Sequence, residues 1–220
     1  MPDFPDFMLR IFTVVSVIAL QGCALQPQSQ PDLDAPDPVR LHASVEHHPD
    51  SYDQALRSWR SPEEVNIWIA DSFEYDRARA MRLSETQRQA QGSMPIHSPA
   101  QFYARPVGVC VDLARFAVET LQAIAPESSP KYVMLEFAPV TIAGNTLRMH
   151  WLVSFERNGK LYFFADSKRP GYIAGPYSST AEFITEYARY RDREVIAFRE
   201  LASYQRRAKT KATKQSREGA

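Results

Sequence analysis

The sequence predicts a single α+β domain, in which helices come first along the chain and antiparallel strands follow. The chain has 220 residues, of which 44% are hydrophobic and 24% charged, and this composition supports one domain with its own core. Apolar residues recur with helical spacing in the first half of the chain, whereas strand-like runs dominate after residue 130. Helices followed by a meander of strands are typical of the α+β class.

Two helices are predicted before the strands. Ser61 supplies a helix N-cap, Pro62 fits the first helical position, and a second helix follows Gly108 and ends before Pro126. Residues 82–106 lie between them and are polar with several prolines, so we predict a long loop broken by a short turn. The apolar stripes of the two helices are Val65, Trp68, Ile69 and Phe73 in the first, and Leu113, Phe116, Ala117, Leu121 and Ile124 in the second.

The second half of the chain predicts strands and one more helix. Strand-like runs cover residues 131–138, 146–156 and 160–166. A third helix is expected over residues 179–190, and residues 194–198 form a candidate last strand. The folded domain is therefore placed at residues 51–204.

The N-terminus has the features of a secretory signal peptide over residues 1–22. Arg10 precedes an apolar run at 11–20, and Gly22 comes directly before Cys23. This segment resembles the bacterial lipoprotein box, which implies that Cys23 is lipidated and becomes the new N-terminus. Ala24 after the cysteine then favours the outer membrane, facing the periplasm. Two alternatives stay open, namely a plain signal peptide cut nearby and a true start at Met8.

The segments that flank the domain are predicted to be unstructured. Residues 23–50 are rich in proline and polar residues and form a tether from the lipid anchor. Residues 205–220 form a basic disordered tail. Twenty-six basic residues balance twenty-six acidic ones, and this zero net charge argues against a nucleic-acid partner.

Cys110 and His150 are the candidate reactive residues. If Cys23 carries lipid, Cys110 is left without a partner cysteine in the chain. Cys110 lies at the predicted start of the second helix, where unsatisfied amides and the helix dipole favour a thiolate. A thiolate nucleophile needs a base, and of the five histidines only His150 lies inside a strongly patterned element.

The register of the hairpin decides which residue accompanies His150. A two-residue turn would pair positions 157 and 160 and place Asp166 opposite Trp151. A three-residue turn with left-handed Gly159 pairs 156 with 160 and places Asp166 opposite His150 instead. The second register aligns apolar side chains on both strands, so we predict it, and with it a triad of Cys110, His150 and Asp166.

These residues resemble the transglutaminase-like superfamily, and in particular the bacterial transglutaminase-like cysteine peptidases. The likeness covers about residues 61–170 and rests on the segment around Cys110, with His150 on a later strand and Asp166 after it. It implies a papain/transglutaminase-like fold, with the nucleophile at a helix N-terminus and the helices packed on an antiparallel sheet. By the same resemblance Cys110 is the nucleophile, His150 the base and then the acid, and Asp166 the group that orients the imidazole. The segment that carries the motif is Gly108-Val109-Cys110-Val111-Asp112-Leu113-Ala114.

Two departures from the family pattern leave the substrate open. Val109 stands where the family has an acidic residue, and Gln101 stands where it has a glutamate. The expected substrate is a protein or peptide amide bond. Water as acceptor makes the protein a peptidase, which the resemblance favours, and an amine makes it a transglutaminase.

Two other interpretations compete with this one. Cell-wall endopeptidases with a Cys-His-His site expect a second histidine where Asp166 stands. The other interpretation is a catalytically inactive transglutaminase-like lipoprotein that acts as a binding or scaffolding module. Cys110 is then a packing residue of the core. We expect no cofactor and no metal, because the His47-His48 pair falls in the tether without further ligands at suitable spacing.

Overall fold

The computed structural model describes residues 48–166 and 171–205. Its helices are α1 Tyr52–Ser58, α2 Pro62–Ser72, α3 Arg77–Arg82, α4 Glu85–Gln91, α5 Pro99–Ala104, α6 Cys110–Ile124 and α7 Thr180–Arg191. Its strands are β1 Glu74–Tyr75, β2 Val107–Gly108, β3 Lys131–Ile142, β4 Asn145–Arg157, β5 Lys160–Phe164, β6 Ala174–Tyr177 and β7 Val195–Leu201. The mixture of helices with an antiparallel sheet confirms the predicted α+β class.

The predicted signal peptide, Cys23 and nearly all of the tether and basic tail lie outside the described residues. Within the described ranges, no helix has both the length and the apolar character needed to cross a bilayer.

The main sheet has five strands in the order β6-β5-β4-β3-β7, and all neighbouring strands are antiparallel. Its two faces carry separate apolar clusters. The first cluster joins Trp151 and Val153 of β4 to side chains of α1, α2, α5 and α6. The second joins Leu152, the residue between them, to side chains of α7. Because neighbouring residues of a strand point to opposite faces, β4 is covered by helices on both sides.

The two helices predicted before the strands form for the reasons that their sequences give. The hydroxyl of Ser61 accepts a hydrogen bond from the amide of Glu64, and Pro62 occupies the first turn of α2. The helix α6 ends directly before Ala125 and Pro126, where proline cannot continue it. The stripe residues of both helices are buried, apart from Ile124, which is half-buried.

The prediction of a long loop over residues 82–106 is wrong, because α4 and α5 lie within it. Ser84 caps α4 by accepting from the amide of Gln87. Ser98 and Gln101 form a reciprocal capping box at α5, and Pro99 occupies its first turn. These caps are visible in the sequence, but helices of six or seven residues are too short to show an apolar period. The prediction also omitted α1, α3, β1, β2 and β6.

The predicted hairpin register is wrong as well. Arg157 pairs with Lys160, so the turn contains only two residues, Asn158 and Gly159, at φ 52° and 71°. Both residue types accept this left-handed conformation, and the resulting tight turn matches the twist of the strands. Apolar pairing did not discriminate between the registers because both faces of β4 are buried from His150 to Phe155, and Phe163 and Phe164 of β5 are buried as well. A shift by one residue therefore still places apolar side chains in a core.

Candidate active site

Cys110 is the first residue of α6, as the sequence predicts. The first amides of a helix have no carbonyl partner within the helix, and they carry the positive end of its dipole. The side chain of Asp112 closes the turn by accepting a hydrogen bond from the amide of Val109 at 3.1 Å. Cys110 is only 8% exposed, and this helix start holds its thiol where negative charge is stabilised.

A buried ion pair fixes the segment that faces this helix start. Arg79 donates from Nε and Nη2 to the two carboxylate oxygens of Asp112 at 2.7 and 2.8 Å. The amide of His97 donates to the same carboxylate at 2.9 Å, and Arg79 also donates to the carbonyl of Pro95. Nothing in the sequence points to Arg79, which lies on the short helix α3 with no motif around it.

His150 is fully buried on β4, on the face that α7 covers. Its ring lies 6.1 Å from the ring of Phe137 and 6.0 Å from that of Tyr187, measured between centroids. Cys110 belongs to the apolar cluster on the opposite face. Strand β5 pairs with β4 only as far as Val153. In the described part of the chain, β5 therefore leaves the edge of β4 open at His150.

Asp166 reaches His150 at this edge by a bend in the backbone. The observed register, continued past Phe164, would place Asp166 opposite Trp151 and away from His150. Instead β5 ends at Phe164, and Ala165 and Asp166 take φ values of 55° and 75°. A positive φ is unfavourable for alanine, so this bend is maintained against a local conformational cost. It places Oδ2 of Asp166 3.4 Å from Nε2 of His150.

Two residues of α7 complete the surroundings of His150, and sequence reasoning missed both. The hydroxyl of Tyr187 lies 3.0 Å from Nε2 of His150 and donates to the backbone carbonyl of Asp166 at 3.1 Å. Arg191 donates to the same hydroxyl at 3.1 Å, and its Nη1 lies 3.9 Å from Oδ1 of Asp166. In the sequence, Tyr187 falls on the apolar stripe of α7 and is indistinguishable from a core aromatic.

The electrostatics of this cluster favour a neutral imidazole. Burial lowers the pKa of His150 well below its ordinary value, and the positive charges of Arg191 and Arg193 lower it further, while a hydrogen bond with the backbone of Asp166 opposes the decrease. Burial raises the pKa of Tyr187 well above its ordinary value; Arg191 opposes this rise, while Asp166 and Cys110 add to it. Cys110 therefore lies close enough to Tyr187 to affect the pKa of its hydroxyl.

Cys110 lines a cavity of about 300 Å³, large enough for a few side chains of a bound peptide. Tyr75, Met149, Trp151 and Tyr204 contribute to its walls. Trp151 directly follows His150 on β4, so the cavity and the buried histidine share one strand. No cluster of three or more His, Cys, Asp or Glu residues suited to a metal ion occurs among the described residues.

Comparison with known proteins places the chain in a family. A family model described as a transglutaminase-like domain matches residues 54–196. None of the curated proteins matches the chain. Among solved structures, calcium-bound LapG of Legionella pneumophila is similar, with 15% sequence identity and a TM-score of 0.40, over 75% of this chain and 87% of that one.

Proposed function

Because the chain belongs to the family of transglutaminase-like domains, we propose that it is a thiol enzyme acting on protein or peptide amide bonds, as a cysteine peptidase. One observation carries the proposal. Cys110 opens from a helix start into a cavity, and a buried His150–Asp166 pair lies at the strand that lines this cavity.

In the proposed reaction, Cys110 loses its proton to Nδ1 of His150 and attacks the substrate carbonyl carbon. Within the described residues Nδ1 has no hydrogen-bond partner, which suits it to accept this proton. The amides at the start of α6 stabilise the tetrahedral oxyanion. The C–N bond then breaks, the departing amine takes the proton from His150, and a thioester to Cys110 is left. Water resolves the thioester, with His150 accepting one of its protons, and the carboxylic acid leaves.

The charge of Asp166 acts on the second nitrogen of the imidazole. When Nδ1 takes the thiol proton, the ring becomes a cation in a fully buried position, beside the positive charges of Arg191 and Arg193. A carboxylate 3.4 Å from Nε2 offsets that unfavourable placement. Asp166 thereby supports the charged state that follows proton transfer, as the third member of a triad does.

Labelling with a peptidyl electrophile specific for cysteine-peptidase thiols tests this proposal. We expect rapid labelling of Cys110, located by mass spectrometry, and its loss in His150→Ala. Hydrolysis of a peptide library should be abolished by Cys110→Ala or His150→Ala, and the double variant should be no worse, because both residues serve one proton-coupled attack. His48→Ala is the matched control, since His48 pairs with Asp71 away from the cavity.

The opposite result favours a binding or scaffolding module. If Cys110→Ala markedly lowers stability and the variant still performs the protein's role in the cell, then Cys110 is a core packing residue and not a nucleophile. Slow alkylation of Cys110, at the rate of a denatured control or below it, contradicts an activated thiol as well.

We further propose that the protein is held in the bacterial outer membrane, facing the periplasm, by lipid on Cys23. The support is the lipoprotein box in the sequence. Cys23→Ser should release the protein from the membrane fraction and abolish incorporation of labelled palmitate, because several acyl chains on one cysteine supply the attachment. Cys110→Ser is the matched control and should remain in the membrane fraction. Unchanged membrane recovery of Cys23→Ser would show this localisation to be wrong.

A further inference from the structure

We infer that Tyr187 is a positioning residue of this site: its hydroxyl accepts the Nε2–H of His150 and keeps the proton off Nδ1. Its part in catalysis rests on the proposed function. The protonation pattern of the resting imidazole is a property of the folded protein and holds independently of that function.

The hydrogen bonds around the Tyr187 hydroxyl allow only one assignment of donors. The backbone carbonyl of Asp166 can only accept, so the single hydroxyl proton of Tyr187 goes to it, at 3.1 Å. The guanidinium of Arg191 can only donate, so it takes one oxygen lone pair, at 3.1 Å. The remaining contact, 3.0 Å to Nε2 of His150, must then be a bond that the imidazole donates.

This assignment fixes the tautomer of His150. A neutral imidazole has one N–H and one bare nitrogen, so a proton on Nε2 leaves Nδ1 as the acceptor. Nδ1 is also the nitrogen without a hydrogen-bond partner in the described part of the chain. The nitrogen that must take the thiol proton is therefore bare before the reaction begins.

The hydrogen-bond partners of the ring are the hydroxyl of Tyr187 and the backbone of Asp166, and not the carboxylate of Asp166. The Nε2–Oδ2 separation of 3.4 Å exceeds the range of roughly 2.7–3.2 Å that N–H···O bonds occupy, whereas 3.0 Å to the Tyr187 hydroxyl lies within it. Asp166 acts through its charge and through its carbonyl, which orients the hydroxyl. Tyr187 thus orients the imidazole of His150, and Asp166 stabilises its positive charge.

Packing holds Tyr187 in this position. The residue is fully buried, and its ring stacks on that of Phe183 with a centroid distance of 5.3 Å and on that of His150 at 6.0 Å. The hydroxyl therefore cannot swing away without opening the contact between α7 and the sheet.

The groups that face this hydrogen bond come from several elements. They are Cys110 at the start of α6, Asp166 after β5, Arg191 on α7 and Arg193 after it. Of these, the two arginines disfavour an imidazolium and Asp166 favours it. An acceptor for Nε2–H adds to the stabilisation of the imidazolium, because it keeps its bond when the ring gains its second proton.

The first test is the nitrogen NMR spectrum of protein labelled with ¹⁵N-histidine, at neutral pH. We expect His150 to show a protonated Nε2 and a bare Nδ1, with its signals assigned by their loss in His150→Gln. A proton on Nδ1 overturns the inference. That result leaves the proposed function standing, since labelling of Cys110 is measured separately. The spectrum needs no variant at Tyr187, so it decides the tautomer even if such variants fold poorly.

The second test compares Tyr187→Phe with wild type. The variant keeps the stacked ring and removes only the hydroxyl. We expect peptide hydrolysis to lose about 10- to 100-fold in kcat with little change in KM, the range for one hydrogen bond to a charged group. The pH midpoint of Cys110 alkylation by iodoacetamide should move upward, because the imidazolium that accompanies the thiolate is less stabilised. An unchanged midpoint overturns the positioning role.

The matched control is Tyr190→Phe. Tyr190 lies on the same helix, its ring is 6.3 Å from that of Tyr187, and it is 41% exposed. We expect this variant to keep the kcat and the alkylation midpoint of wild type. A midpoint that moves as far in Tyr190→Phe as in Tyr187→Phe overturns the inference, because it shows a general effect of α7.

Discussion

Asp166 gains its place beside His150 from two residues of unusual backbone conformation. Ala165 and Asp166 leave β5 with positive φ, and this turns the carboxylate toward Nε2. Aspartate tolerates the left-handed region better than most residues, and asparagine shares that tolerance. The identity of residue 166 is therefore compatible with both the bend and the charge that the proposed reaction needs.

Asp166→Asn should lower the rate of peptide hydrolysis by roughly 10² to 10⁴ while the protein stays folded. Asparagine keeps the size and the backbone conformation, but it removes the negative charge that supports the imidazolium. Kinetics together with a thermal unfolding curve check this prediction. Asp192→Asn is the control, since Asp192 also has a positive φ and is exposed at the end of α7. Full activity of the Asp166→Asn protein would remove Asp166 from the proposed triad.

At the scale of elements, the β4–β5 turn decides where β5 ends relative to His150. Asn158 and Gly159 both adopt a left-handed conformation, and the turn they form sets the pairing of Arg157 with Lys160. Strand β5 then runs for five residues only, so the backbone bend at Ala165 falls next to His150. A three-residue turn would have brought Asp166 to His150 by register alone, and the bend would not have been needed.

Gly159→Ala should lower the free energy of unfolding by about 1–2 kcal/mol, the cost of a left-handed alanine. An added Cβ at Gly159 meets no atom within 4 Å, so the effect is conformational and not steric. Urea unfolding measures it. Asn158→Gly should change stability far less, because Asn158 already tolerates its φ of 52°. A neutral Gly159→Ala variant would show that the turn adjusts its conformation.

At the scale of the whole molecule, the burial of His150 couples the stability of the fold to pH. The folded-state pKa of His150 is well below that of an exposed histidine, because burial and two nearby arginines disfavour the charged ring. The unfolded chain therefore binds a proton near pH 6.5 that the folded protein does not bind. Stability due to this residue is present above that pH and is lost as the pH falls below it.

Between pH 7.5 and 5.5 the free energy of unfolding should fall by on the order of 1 kcal/mol through His150 alone, because only the unfolded chain takes up the proton in this range. Urea unfolding at the two pH values measures the difference. In His150→Gln this part of the pH dependence should disappear, whatever the change in absolute stability. A His150→Gln protein with the full wild-type pH dependence would contradict the low pKa.

The sequence by itself determined the α+β order of the elements, α2 and α6 with their caps and stripes, and the position of Cys110 at a helix start. These follow from local rules, because a cap, a proline or an apolar period acts within one or two turns of chain. It also pointed to His150 and Asp166, by their pattern and by the likeness to transglutaminase-like proteins.

Only the tertiary structure decided the hairpin register, the route by which Asp166 meets His150, and the contacts of Tyr187, Arg191 and Arg79. Both faces of β4 are buried, so the apolar pattern carries no information on a shift by one residue. Tyr187 on α7 and His150 on β4 are 37 positions apart, and Arg79 and Asp112 are 33 apart. Their contacts exist because packed helices and strands bring them together, and no local pattern in the chain encodes such a meeting.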